Sequence, residues 1–98
     1  VVVQFEWDPE KAKINRQKHR VSFEMARVFA DPFALVVQDR IVSGEYRWQT
    51  LGCVEGCLIL LVAHTVGQFE HGTEVIRIIS ARRATATERM RYEQDRTR

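Results

Sequence analysis

No apolar run in the sequence approaches the roughly 20 residues that a membrane-spanning helix needs. The longest, Cys57 to Ala63, has the length of a strand. No signal-peptide pattern opens the chain, so it reads as cytoplasmic. Cysteine is scarce. Cys53 and Cys57 flank a short turn, and zinc would need two further ligands at suitable spacing, so both read as ordinary reduced thiols. A phosphate loop, a metal-ligand pair and a nucleophile elbow are all lacking, and no cofactor is expected. The acids are scattered rather than clustered, which argues against two-metal nuclease chemistry. Repeats and Pro/Gly-rich linkers are also missing, and 98 residues suffice for one core but not two, giving a single domain over 1–98. Neither sign of charge dominates, with a net of +2.

The distribution of charge is less even than its total. From Arg77 to Arg98 there are seven arginines against three acids (Glu88, Glu93 and Asp95), a net of +4. The first 76 residues carry eight basic groups against ten acidic ones, a net of −2. A basic C-terminal third on a slightly acidic body can steer a polyanion.

Val1 to Trp7 alternates, with Val3, Phe5 and Trp7 on one side and Gln4 and Glu6 on the other, which predicts a half-buried strand. Asp8-Pro9 opens a helix to about Lys18, since aspartate caps free amides and proline is tolerated at the first helical position. Ser22 caps a second short helix carrying Phe23, Ala26, Phe29 and Ala30 on one face, and Asp31-Pro32 ends it. Strands follow over Leu35–Asp39, Tyr46–Val54, Cys57–Val66 and Glu74–Ala81, with turns at Ser43-Gly44 and Glu55-Gly56. Thr85-Ala86-Thr87-Glu88 is a capping box that starts the last helix. The order β-α-α-β-β-β-β-α predicts an α+β fold, an antiparallel sheet of four to five strands with two N-terminal helices and one C-terminal helix.

Arginine holds phosphate in fixed geometry, because its planar fork stays charged and donates two parallel hydrogen bonds. Arg77, Arg82, Arg83, Arg89 and Arg91 cluster around the last strand-to-helix junction. In an unbroken strand Arg77 and Arg82, five residues apart, point to opposite faces and cannot enter one site unless a bulge intervenes. Arg82 at the strand end is then free for chemistry, Arg77 reads as structural and paired with an acid, and Arg83 fits either role. Alternation places Arg47 and Gln49 on one face of their strand and Tyr46 and Trp48 on the other, and Arg47 beside Glu45 could form a plain cross-strand ion pair. His19, next to Lys18, can both take and give a proton near neutral pH. Asp8, Asn15 and His19 follow helical spacing and could form one hydrogen-bonded set. His64, in an apolar strand, and His71, in a glycine-flanked loop, are weaker candidates. These residue types suit metal-independent RNA cleavage, in which the 2′-hydroxyl attacks the adjacent phosphate and the protein supplies a base, an acid and cations.

Phe5-Glu6-Trp7-Asp8-Pro9, Lys11, Asn15, Lys18-His19, Val21-Ser22-Phe23-Glu24, Ala26, Val28-Phe29, Asp31-Pro32, Glu45-Tyr46-Arg47, Gly52, Arg77-Ile78-Ile79-Ser80-Ala81-Arg82, Ala84-Thr85, Glu88-Arg89 and Tyr92-Glu93 together resemble the BrnT toxins. The order and spacing match from Phe5 to Glu93. The resemblance departs at Arg20, where the family has glycine. It implies a RelE-like fold and a ribonuclease toxin of a type II toxin–antitoxin pair that stops translation. Its partner would be a BrnA-like antitoxin, forming a hetero-oligomer that binds operator DNA through the antitoxin, with no membrane role. In that reading Arg82 and Arg47 hold the phosphate, His19 or Glu45 acts as base, Lys18 adds charge, and Tyr92 stacks or donates a proton. Arg83, Arg89, Arg77 and Lys11 contribute to RNA binding. The competing reading is a non-catalytic module that acts only as antitoxin partner and operon co-repressor.

Overall fold

The computed structural model describes residues 2–25, 27–55, 58–68 and 72–97. Ala26, Cys57 and His71 lie outside them, and with them the Cys53–Cys57 and His71 expectations. Five strands, β1 (Val2–Glu6), β2 (Leu35–Val42), β3 (Glu45–Val54), β4 (Leu58–Gln68) and β5 (Thr73–Arg83), form one sheet in the order β1-β5-β4-β3-β2. Two α-helices accompany it, α1 (Pro9–His19) and α2 (Ala86–Arg96). No helix among the described residues is long and apolar enough to cross a membrane.

The sheet is mixed rather than antiparallel, because β1 pairs parallel to β5 while the other three pairs are antiparallel. Strands joined by tight turns must reverse direction, but β1 reaches its partner through α1 and three intervening strands, so no hairpin fixes its sense. The β2–β3 hairpin turns on Ser43 and Gly44, whose positive φ values of 51° and 79° at both central positions match a type I′ turn. The β2 strand extends past Asp39, with a register shift between Gln38 and Ile41.

The second N-terminal helix is not an α-helix. Residues Phe23–Met25 and Arg27–Ala30 form two short 3₁₀ segments. Both Phe23 and Val28 are buried in the same cluster, and five residues on one α-helix would place them about 140° apart. Breaking the helix lets both enter one core, where Val28 lies over Gly52. A Cβ at Gly52 would sit 2.7 Å from Val28 Cβ, so glycine is required at that crossing.

Helix α1 begins where the sequence indicates, with the Asp8 side chain accepting from the Glu10 amide at 2.9 Å. Arg20 closes it in the left-handed conformation, φ 58°, with its amide bonded to Arg16 O. Beyond the end of β1 the edge of β5 would be bare. Asn15 covers it: Nδ2 donates to Ala81 O at 2.8 Å and to Val21 O at 2.9 Å, and Oδ1 accepts from Ala81 N at 3.1 Å. A single amide side chain thus takes the place of a neighbouring strand. Asp8 serves the helix cap and does not join Asn15.

The two sheet faces differ. One is covered along α1 and the 3₁₀ segments by Val21, Phe23, Val28, Val54, Leu60, Val62, Ile78 and Ala81. On this side His64 is buried, its Nε2 2.8 Å from Thr50 Oγ1 and its ring edge-on to Phe29, and burial holds its pKa below the ordinary value. The other face is covered at one end only, where Leu51, Ile59, Leu61 and Tyr92 cluster beneath α2.

Candidate active site on the open sheet face

The uncovered part of the second face is polar, and β5 supplies two of its arginines, Arg77 and Arg82. Leu61 pairs with Arg82, Ala63 with Ser80 and Thr65 with Arg77, but His64 pairs with Ile78, so Ile79 is an extra residue. This β-bulge resets the alternation. Arg77 and Arg82 therefore share a face, contrary to the expectation for an unbroken strand. By the β3–β4 register, Gln49 lies beside Ala63 and Leu51 beside Leu61, which puts Glu45 and Arg47 on that face too. Tyr46 and Trp48 point to the opposite side, away from the arginines.

Three of the anticipated residues meet. Arg77 crosses β4 above Thr65 and donates from Nη2 to Glu45 Oε1 at 2.7 Å. Arg47 Nη2 lies 3.6 Å from the same oxygen. One carboxylate thus sits between two guanidinium groups and leaves the cluster with a net positive charge. Arg77 is half-exposed, whereas Arg47 is largely covered and its Nε has no hydrogen-bond partner among the described residues.

Arg82 forms a second station. Its Nη1 and Nη2 donate to Glu88 Oε1 and Oε2 at 2.7 and 3.0 Å, a bidentate pair, and Nη1 also reaches Arg83 O at 3.3 Å. Glu88 is the third residue of α2 and completes the capping box with Thr85. The hydrogen bonds from Arg82 dominate the shift that holds the Glu88 carboxyl down at about 2, and they raise the Arg82 pKa in turn. The sequence marks Glu88 only as a helix cap; its second role needs the strand end and the helix start in register.

Tyr92 is placed differently from the expectation. It is 1% exposed, and its hydroxyl donates to Asp31 Oδ2 at 2.5 Å. Asp31 also accepts from the Cys53 and Phe33 amides at 2.8 and 2.9 Å, tying the Asp-Pro turn, β3 and α2 together. Burial, then the Asp31 carboxylate, pushes the phenol up to about 12. Its ring is packed beneath α2 rather than presented for stacking on a base, and its hydroxyl is engaged by Asp31. Lys18 and His19 end α1, Lys18 exposed and His19 half-buried. Neither makes a hydrogen bond or ion pair with the arginine cluster among the described residues. Lys11, Arg83 and Arg89 are exposed.

Residues 7–88 match the family described as "Ribonuclease toxin, BrnT, of type II toxin-antitoxin system". The chain belongs to the BrnT family. Membership implies an RNA target and an antitoxin partner. Comparison with curated protein sequences finds no significant match. The 1.1 Å crystal structure of the Brucella abortus ribonuclease toxin, BrnT, is similar at a TM-score of 0.59 and 22% identity, over 87% of this chain and 99% of that one. At that identity the likeness supports a common α+β fold.

Proposed function

We propose that this BrnT-family chain is a metal-independent endoribonuclease that binds and cleaves RNA on its open sheet face and thereby stops translation. The observation that carries the reading is the bulge at Ile79, which gathers Arg77 and Arg82 on the same uncovered face as Arg47 and Glu45. Arg47 and Arg82 hold the scissile phosphate and its neighbour, and Arg77 fixes Glu45. In the reaction a base takes the proton of the 2′-hydroxyl, O2′ attacks phosphorus, and the 5′-oxygen leaves with a proton, giving a 2′,3′-cyclic phosphate and a 5′-hydroxyl. Positive charge preorganised around the phosphate stabilises the transition state. Of the two candidate bases, Glu45 is favoured over His19, because it lies among the arginines while His19 belongs to the helix along the edge of β5. Lys18, Lys11, Arg83 and Arg89 extend the positive field that draws RNA in.

The same reading makes the chain a single RelE-like domain, neutralised by a BrnA-like antitoxin in a hetero-oligomer that binds operator DNA through the antitoxin. Cleavage of end-labelled RNA in EDTA tests it. Wild type should cut and leave cyclic phosphate ends, and Arg82→Ala and Arg47→Ala should lose activity by at least about a hundredfold, the scale of one lost oxyanion contact. Cleavage that needs added divalent metal, or that neither substitution slows, refutes the mechanism. Growth unaffected by inducing the chain alone would favour a non-catalytic partner module instead.

A further inference from the structure

Arg82 reaches the open face from the last turn of the sheet, where a long side chain would ordinarily sample many rotamers. Here it is gripped from behind. Glu88 Oε1 accepts both Arg82 Nη1, at 2.7 Å, and the Thr85 amide, at 2.9 Å, while Oε2 accepts Arg82 Nη2 at 3.0 Å. The carboxylate is itself fixed, because Thr85 Oγ1 receives the Glu88 amide at 3.2 Å and the box anchors the first turn of α2. Four residues on, and so on the same side of the helix, buried Tyr92 bonds Asp31. The helix is thus pinned at two points one turn apart, and Arg82 is held by one of them.

The donor count on Arg82 gives this grip a direction. A guanidinium has five N–H groups. Two on Nη1 go to Glu88 and Arg83 O, and one on Nη2 goes to Glu88. The two that remain without a hydrogen bond among the described residues, Nε–H and the outer Nη2–H, lie along one edge of the plane as a parallel fork, the arrangement that takes two phosphate oxygens at once. Glu88 occupies one edge of the guanidinium and leaves the other to the substrate.

We infer that Glu88 is a positioning residue, which orients the Arg82 guanidinium so that its free edge meets the RNA phosphate. The inference rests on the active-face reading above. It assigns Glu88 no proton transfer and no contact with RNA. Because its carboxyl is held far below the ordinary range, the grip stays intact across the pH range in which RNA is stable, and the cleavage profile there carries no Glu88 titration.

Glu88→Gln separates this role from helix capping. A glutamine still accepts from the Thr85 amide, as capping boxes with glutamine do. It offers the guanidinium only one oxygen, however, and turns an amide NH₂ towards Nη2. At a temperature where circular dichroism shows every variant folded, E88Q should lower kcat by about tenfold or more, as misplaced catalytic groups do, with KM changed less. In the Arg82→Ala background E88Q should cause no further loss. Thr85→Ala, which keeps the Thr85 amide and both Arg82–Glu88 hydrogen bonds, should lower the melting temperature and lower kcat by less than E88Q does. Cleavage by E88Q at the wild-type rate, with R82A impaired, overturns the inference and leaves the active face standing. An E88Q loss undiminished in the R82A background also overturns it. Wild-type cleavage by R82A removes the active-face reading itself.

Discussion

Tyr92→Phe removes one oxygen from the protein and decides whether that residue belongs to the fold or to the chemistry. The ring stays in its cluster with Leu51, Ile59 and Leu61. Asp31 keeps the Cys53 and Phe33 amides and loses the tyrosine hydroxyl. A hydrogen bond to a charged group is worth roughly 1.5–3 kcal/mol. The Asp31 carboxylate borders a cavity of about 700 Å³ also lined by Arg96 and Phe33, so water can take the vacated place. The expected loss is therefore at the low end, about 1.5 kcal/mol, read as a fall in the urea midpoint at pH 7. The pH dependence gives a second handle. The folded phenol ionises near 12, against 10 for an ordinary tyrosine. Its contribution is complete below pH 10 and is lost as pH rises from 10 towards 12, because the unfolded chain sheds this proton first. Wild type should thus lose stability between pH 10 and 12 more steeply than Y92F. On the acid side, burial pushes the Asp31 carboxyl up but the Tyr92, Cys53 and Phe33 hydrogen bonds outweigh it. Its stabilisation is lost as pH falls through the folded pKa, and without the Tyr92 hydrogen bond that loss should be smaller and complete at higher pH in Y92F. Cleavage per folded molecule should not change. An unchanged midpoint together with a tenfold fall in cleavage refutes the structural assignment and returns the hydroxyl to the reaction.

Gly52→Ala should destabilise the protein by about 1–3 kcal/mol through overpacking, because the new Cβ would lie 2.7 Å from Val28 Cβ and 2.9 Å from Val28 O, and Val28 is fully buried. A midpoint shift in urea equivalent to less than about 0.5 kcal/mol would show that the 3₁₀ segment gives way. Arg20→Gly should act in the opposite sense, raising stability by up to about 1 kcal/mol, since φ 58° strains a residue with a Cβ and suits glycine. A lower melting temperature would show that the Arg20 side chain contributes more than its backbone costs.

The parts of the fold that were legible in the sequence are those with local causes. Asp8-Pro9 caps α1, Thr85 and Glu88 close a box on α2, and Ser43-Gly44 turns the first hairpin, each within a few residues of chain. Alternation likewise put Arg47 and Gln49 on the face opposite Tyr46 and Trp48. The missed features depend on distant partners. The parallel sense of β1 is set by its docking on β5 some seventy residues later. The 3₁₀ segments exist because Val28 must fit Gly52, and Tyr92 is internal because Asp31 lies beneath it. The bulge at Ile79 has no local signature, since neither glycine nor proline marks it. It nevertheless decides the site, because one extra residue turns two opposed arginines into a pair on one face.

That face explains why weak ion pairs serve the proposed chemistry better than strong ones. Arg77 and Glu45 are each 44% exposed, and such pairs contribute roughly 1 kcal/mol or less to stability. Their value is geometric. Arg77 and Arg47 are kept extended over the sheet by one carboxylate whose exposed ion pairs are weak enough to exchange for an RNA phosphate. Glu45 can then loosen its hold when RNA arrives, while Glu88, fixed by the helix cap and holding Arg82 through two oxygens, does not need to. The two stations differ accordingly. The Glu45 carboxylate is free to exchange partners and take a proton, and the Glu88 carboxylate is committed to support. Glu45→Gln should therefore lower cleavage by about a hundredfold or more, the scale of a lost general base, whereas E88Q should lower it less, through misplacement of Arg82 alone.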